Sequence, residues 1–245
     1  IYNPLPNHLH VPWSVKAAEH NKHVLCEKPV ALTADEARQL LDVRNRTGVK
    51  IQEAFMVRTH PQWLAVKDLV SSGRIGELRS MLGAFSYTNR DPANIRNRPD
   101  FGGGALMDMG CHGFAWFRWM LGTETKAQSV YAQMQAGLIH SGRTRCEEHS
   151  LCIVEFDGGV TGIVENSWAK LGGMEDRVEV FGTGGVVYAD LFMGNSALTY
   201  SEKGYGYAME KAGSTQGWTF TNFEEAFNQG YPQELNHFIA CVRND

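Results

Sequence analysis

The sequence predicts an α/β protein: a parallel sheet with helical crossovers, then a larger, mostly antiparallel sheet covered by a buried helix. Three observations carry that expectation. Residues 1–73 alternate short apolar runs with helix-period segments, the pattern of parallel strands joined by right-handed crossovers. From residue 78 onward apolar runs recur with glycine turns between several of them, the pattern of antiparallel hairpins. Within this second part lies Phe101–Gly122, opened by Gly102-Gly103-Gly104. From Ala105 to Leu121 only Asp108, His112 and Arg118 interrupt its apolar residues. A helix that is apolar all round buries its whole circumference.

Each element has its own signal. Ile1-Tyr2 reads as the end of a strand and leads at once into Asn-Pro-Leu-Pro-Asn-His-Leu-His. Pro12 suits the first turn of a helix running to about His20, with Asn21 as its stop. Residues 22–26 form a buried strand that ends at Glu27-Lys28-Pro29. Thr33 and Glu36 make a capping box for a helix ending near Gly48. Residues 49–57 read as a strand, and Pro61 opens a helix that Gly73 closes. A long strand at 78–88 precedes a polar loop holding Arg90, Arg96 and Arg98. After the glycine-opened helix, strands are expected at 128–135, 150–156, 160–169, 178–181 and 186–191. Asp157-Gly158-Gly159 and Thr183-Gly184-Gly185 turn two of these into hairpins. One face of such a sheet needs cover, and the helix at 104–121 supplies it. A last helix spans about 233–242.

Composition narrows the function. With 245 residues the chain can bury a substantial core, as one large domain or two ordinary ones. A net charge of −4 gives no basic footprint, so nucleic acid is not expected as the main partner. No apolar run reaches membrane-spanning length, and no membrane partner is expected. The five cysteines are scattered without a CxxC, which points to reduced thiols and a cytoplasmic setting. His8-x-His10 and Cys111-His112 lack a second pair at zinc-site spacing, so no metal is expected.

The residues able to do chemistry are few. In parallel sheets ligands bind beyond the carboxyl ends of the strands, where Asn3–His10 and Glu27–Pro29 fall. Lys28 follows a buried strand and precedes proline, a turn that can aim an ammonium group into a cleft or leave it on the surface. Asp108 and His112 are four apart, so on an α-helix they lie on one face. The carboxylate could then hold the imidazole's tautomer and raise its pKa, or the pair could simply tighten a core. Asn3, Asn7 and His8 could bind a ligand or cap loops. The loop arginines could clamp an anion or stay solvated. Trp168, and Tyr205 with Tyr207, could stack on a sugar or belong to the core. No G-x-G-x-x-G or Walker motif is present, and Gly182–Gly185 reads as a hairpin turn.

Taken together, N-P-x-x-N-H, E-K-P and G-G-G-A-L-M-D-M-G-C-H resemble, in order and spacing, the Gfo/Idh/MocA family (glucose–fructose oxidoreductase, inositol dehydrogenase and rhizopine-catabolism proteins). The resemblance covers essentially the whole chain. It implies that residues 1–57 are the remainder of an NAD(P)-binding Rossmann domain. Residues 58–245 would be an α/β domain for substrate binding and oligomerisation, with a large open antiparallel sheet. It implies NAD or NADP as cofactor and a sugar or polyol as substrate, in a homodimer or homotetramer formed through that sheet.

By position, Lys28, Asp108 and His112 match the family's catalytic residues. Asn3, Pro4, Asn7, His8, Glu27, Lys28 and Pro29 match segments lining the nicotinamide side of the cofactor. Arg58 matches a site-lining arginine, and Trp168 is a further candidate for the substrate. The implied reaction is hydride transfer between nicotinamide and a secondary alcohol, with His112 taking the proton, Asp108 orienting it and Lys28 stabilising the alkoxide. The same residues would serve a lyase or epimerase that retains NAD, and a sugar-binding sensor would need only the pocket. No nucleophile elbow points to a hydrolase. The family's Gly-rich loop and its ribose-reading residue would precede Ile1, and further helical structure would follow Asp245. On this reading the chain is an internal piece of a longer one and binds dinucleotide poorly by itself.

Overall fold

The computed structural model describes residues 1–170, 174–192, 197–204, the backbone of 217–221, and 230–244. Tyr205 and Tyr207 lie outside the described residues. Strands β1 (Tyr2–Asn3), β2 (Val24–Glu27) and β3 (Ile51–Ala54) form a parallel sheet in that order. Val24, Leu25 and Cys26 are all buried, as expected where both faces of a strand are covered. Helices α1 (His10–Glu19) and α2 (Ala34–Thr47) pack on each other, with Ala18, Val43 and Val49 between them. Thr33 caps α2 by accepting the Glu36 N–H at 3.2 Å. The Glu36 carboxylate reaches back to the N–H of Leu32 rather than of Thr33, a capping box displaced by one residue. Gly48 ends α2 in the left-handed region, at φ 71°.

Helix α3 (Pro61–Ser71) leads to β4 (Leu78–Ser86). The glycine-opened segment begins as a π-helical turn, Leu106–Gly110, and continues as α4 (Cys111–Leu121). The remaining strands are β5 (Ala127–Gln135), β6 (His149–Phe156), β7 (Thr161–Ser167), β8 (Glu175–Gly182), β9 (Gly185–Asp190), β10 (Ala197–Ser201) and β11 (Gly217–Thr221). With β4 they make an eight-stranded sheet in the order β11-β10-β9-β8-β4-β7-β6-β5. The β4–β7 pair is parallel and the other pairs are antiparallel. Strands β10 and β11 extend the sheet beyond the sequence expectation. Five-residue alternations are too short for periodicity to separate from loop.

One face of the large sheet is covered. Trp63, Val66 and Leu69 of α3 and Trp116, Phe117 and Met120 of α4 join Val154, Phe156, Val164, Val178 and Val180 in one core. Helix α5 (Tyr231–Arg243) returns to the small sheet, where Phe238 packs on Leu25 and Ala54. No helix among the described residues is long and apolar enough to cross a membrane.

Candidate active site

The carboxyl end of β2 and the π-helical turn meet at one ion pair. Lys28 Nζ donates to Asp108 Oδ1 at 2.9 Å and to the Asp108 carbonyl at 2.6 Å. The Lys28–Pro29 peptide is cis. Arg96 Nε adds a second charge-assisted bond to Oδ1 at 3.1 Å, and the Tyr87 hydroxyl donates to Oδ2 at 2.6 Å. Both carboxylate oxygens are therefore engaged, in a site where an unpaired charge would be costly. Burial alone would push the Asp108 carboxyl up. The charges of Lys28 and Arg96, with the Tyr87 and Lys28 hydrogen bonds, outweigh burial and hold it at about 2. The Lys28 ammonium is likewise disfavoured by burial, yet Asp108 keeps its pKa above the usual lysine value.

His112 lies one turn further on and is buried. The edges of Phe55 and Phe85 contact its ring at centroid distances of 5.3 and 5.1 Å. Neither ring nitrogen has a hydrogen-bond partner among the described residues. Burial, then the nearby Lys28 charge, pushes its pKa down to about 3. The expected Asp108–His112 hydrogen bond is thus not formed, and the imidazole's pKa falls rather than rises. The i,i+4 stacking that predicts the bond assumes 3.6 residues per turn. Residues 106–110 are wound more widely, and Lys28, Arg96 and Tyr87 occupy both oxygens.

Glycine lets the turn start where it does. A Cβ on Gly103 would stand 2.3 Å from the carbonyl oxygen of Arg96, and Gly104 sits at φ 124° against the Glu147 carboxylate. That carboxylate accepts the Leu106 N–H at 2.9 Å, and the Glu147 carbonyl accepts the N–H of Ala105 at 3.0 Å.

A cleft of about 600 Å³ opens over this cluster, lined by Pro4, Asn7, Glu27, Lys28, Arg96 and His112 among others. Asn7 donates to the Gly102 carbonyl at 2.9 Å, tying the small-sheet part to the start of the glycine segment. Glu27 accepts the Tyr2 hydroxyl at 2.5 Å. His8 stacks on Phe101. Asn3 is buried and spends its amide on the His10 carbonyl and Ser14, so it holds the start of α1 instead of facing the cleft. The Pro29 carbonyl is bonded to His10 Nδ1 at 2.7 Å.

The two expected substrate contacts are not brought here. Arg58 lies in a 3₁₀ turn, Met56–Thr59, that sends its guanidinium over Trp119 and into a separate pocket. Trp168 is fully buried with Ala105, Met109 and Cys146, so it backs the site and cannot stack on a ligand. Conversely, Tyr87, Phe85 and Asn89 line the cleft without being singled out by any motif. Arg96 stood among three loop arginines that nothing in the sequence told apart.

Comparison with known proteins agrees with this geometry. Residues 3–55 match the model of the oxidoreductase family with an NAD-binding Rossmann fold, and residues 63–188 match that of the GFO/IDH/MocA C-terminal domain. The chain belongs to the GFO/IDH/MocA oxidoreductase family. Among the relatives of this GFO/IDH/MocA chain is an uncharacterised oxidoreductase of Rhizobium meliloti. It is 42% identical over 75% of this chain and 52% of its own length. D-xylose 1-dehydrogenase (NADP(+)) 2 of Haloferax volcanii is 38% identical over 69% of this chain and 50% of its own. The chain therefore spans about half the length of these curated relatives. Among solved structures, GenD2 from gentamicin A biosynthesis, in complex with NAD, superposes with a TM-score of 0.80 at 30% identity. That match covers 99% of this chain and 68% of GenD2.

Proposed function

We propose that the protein is an NAD(P)-dependent oxidoreductase acting on a secondary alcohol of a sugar or cyclic polyol. The observation that carries this reading is the cleft itself. A charged lysine and a neutral imidazole with no hydrogen-bond partner among the described residues border one space at the carboxyl ends of parallel strands. The lining suits a nicotinamide ring: Pro4, Asn7, Glu27 and Lys28 border the cleft together with His112, whose ring nitrogens have no hydrogen-bond partner among the described residues. Nicotinamide, when bound, supplies the hydride acceptor or donor. His112, kept neutral by burial, takes the hydroxyl proton of the alcohol. Lys28, kept charged by Asp108, donates a hydrogen bond to the oxygen as negative charge develops on it. Asp108 thus orients the lysine.

The xylose dehydrogenase relative favours sugars as the substrate class. Five free thiols accord with a reducing, cytoplasmic setting.

The test, run on the full-length protein, is absorbance at 340 nm with NAD⁺ or NADP⁺ and a panel of aldoses and inositols, wild type beside His112→Ala. The expected result is reduced cofactor in the wild type and a kcat lower by about 10²–10⁴-fold in the variant, the usual worth of positioned proton transfer. An unchanged kcat removes His112 from the role. Bound cofactor without net reduction points to a lyase or epimerase that retains it. A bound sugar with no cofactor points to a sensor.

A further inference from the structure

His112 is left with a problem that the cleft does not solve. Its imidazolium must be tolerated while it holds the proton, and the carboxylate four residues before it, Asp108, is already neutralised by Lys28 and Arg96. Behind the ring is a second, smaller space. A cavity of about 20 Å³ lies between α4 and the covered face of the large sheet, and His112 borders it as well as the cleft. Its wall includes Trp63, Trp116, Asn166 and Asp176.

Asp176 is the unexpected member. It occupies a core-facing position of β8, in register with Phe85 of β4 and alternating with Val178 and Val180. Its Oδ2 has no hydrogen-bond partner among the described residues, and neither do Trp116 Nε1, Trp63 Nε1 or either nitrogen of His112. A buried carboxyl in such a position is costly and calls for a reason. The cavity has room for one water molecule, which needs about 10–15 Å³ and two to four polar partners.

We propose that Asp176 is the positioning residue for His112, acting through one water held in this cavity and bonded to the inner ring nitrogen, Asp176 and the Trp116 N–H. This rests on the proton-accepting role given to His112 above. With the inner nitrogen held, the outer nitrogen is presented to the substrate hydroxyl in one tautomer. As the proton arrives, the Asp176 carboxylate stabilises the imidazolium from behind.

The surroundings of Asp176 suit the task. Burial, then the charge of Asp190 on β9, pushes its pKa up to about 7, and Lys28 opposes this from the cleft side. His112 faces it from α4. Glu175 and Arg177 flank it on β8 and pair with each other, and Arg177 also borders the cavity. Near pH 7 it is therefore Asp176 that changes charge, while His112 remains neutral.

The deciding experiment reads His112 directly and needs no turnover. The full chain is labelled with ¹⁵N-histidine and ¹³C-aspartate, and His112 is assigned by comparison with His112→Ala. In the wild type the His112 ring nitrogens should show an inflection near pH 7 that coincides with titration of the Asp176 carboxyl. In Asp176→Asn that inflection should vanish and the tautomer populations should move. In the activity assay, Asp176→Asn should lose the rise of kcat through pH 7 and about 10–100-fold of kcat above it, the scale seen for outer-shell partners that orient metal-bound histidines. A His112 ring that titrates identically in Asp176→Asn, or shows no inflection matching that of Asp176 in the wild type, overturns the proposal. The wild-type titration decides the matter even if the variant does not fold. If His112→Ala keeps full turnover while the coupling is seen, the proposed function fails and the coupling stands.

Discussion

Lys28 and Asp108 hold each other ionised in surroundings where either charge alone would be suppressed. The folded carboxyl value of about 2 lies below the ordinary value. The stability it contributes is therefore complete above a pH of about 4 and is lost as the pH falls through about 2. Lys28→Met should raise the Asp108 pKa, move acid unfolding to higher pH and cost up to about 3 kcal/mol at neutral pH. The cost stays at the low end for a broken buried pair because Arg96 and Tyr87 remain. Chemical denaturation as a function of pH measures it, and equal curves for both proteins would show that the lysine contributes nothing to the pair. Lys28 stood out in the sequence because it follows a buried strand and precedes proline, a turn that can aim its ammonium group into a cleft. Tyr87 and Asp176 did not stand out, because a tyrosine or an aspartate in a strand carries no motif, and burial is decided by what packs above it.

At the scale of elements, the glycine-opened segment was legible as a buried helix but not as a π-helical turn. The start of the segment is held by Glu147, a residue of another segment, which accepts the N–H groups of Ala105 and Leu106. Gly103→Ala tests how closely the segment is set. The added methyl would press on the Arg96 carbonyl, so the Arg96–Arg98 backbone must move and carry the guanidinium away from Asp108. The expected result is a loss of about 1–3 kcal/mol, as in other overpacked sites, with a fall in kcat. Thr33→Ala is the contrast: it removes the cap of α2 for about 1 kcal/mol and leaves turnover unchanged. Equal effects of both variants on turnover would mean that the glycine segment has no special bearing on the site. Capping boxes and glycine stops were readable because they act within four residues. The surroundings of His112 were not, because the i,i+4 rule holds only for the regular winding it assumes.

At the scale of the molecule, the large sheet is covered on one face by α3 and α4 and carries an exposed edge in β5. Val130, Tyr131 and Met134 there are 62%, 60% and 56% exposed. Apolar side chains on an edge strand are a ready template for pairing. A homo-oligomer formed through this sheet is the proposal that accounts for them. Light scattering with size-exclusion chromatography should give a dimer or tetramer, and the double substitution Val130→Glu with Tyr131→Glu should give a monomer. A wild-type monomer at micromolar concentration would remove the proposal.

The alternation of strands and helices up to residue 73, the switch from parallel to antiparallel sheet, the cap of α2 and the choice of Lys28, Asp108 and His112 as candidates were legible in the sequence alone. Each rests on periodicity, on local hydrogen bonding or on a short motif. The tertiary structure decided which charge neutralises which. Lys28 and Asp108 are 80 residues apart, and their pairing takes the carboxylate away from His112. It also decided that Arg58 and Trp168 stay out of the cleft, and that Asp176 comes to lie behind the imidazole. These outcomes depend on distances across the core, and periodicity along a chain carries no information about them.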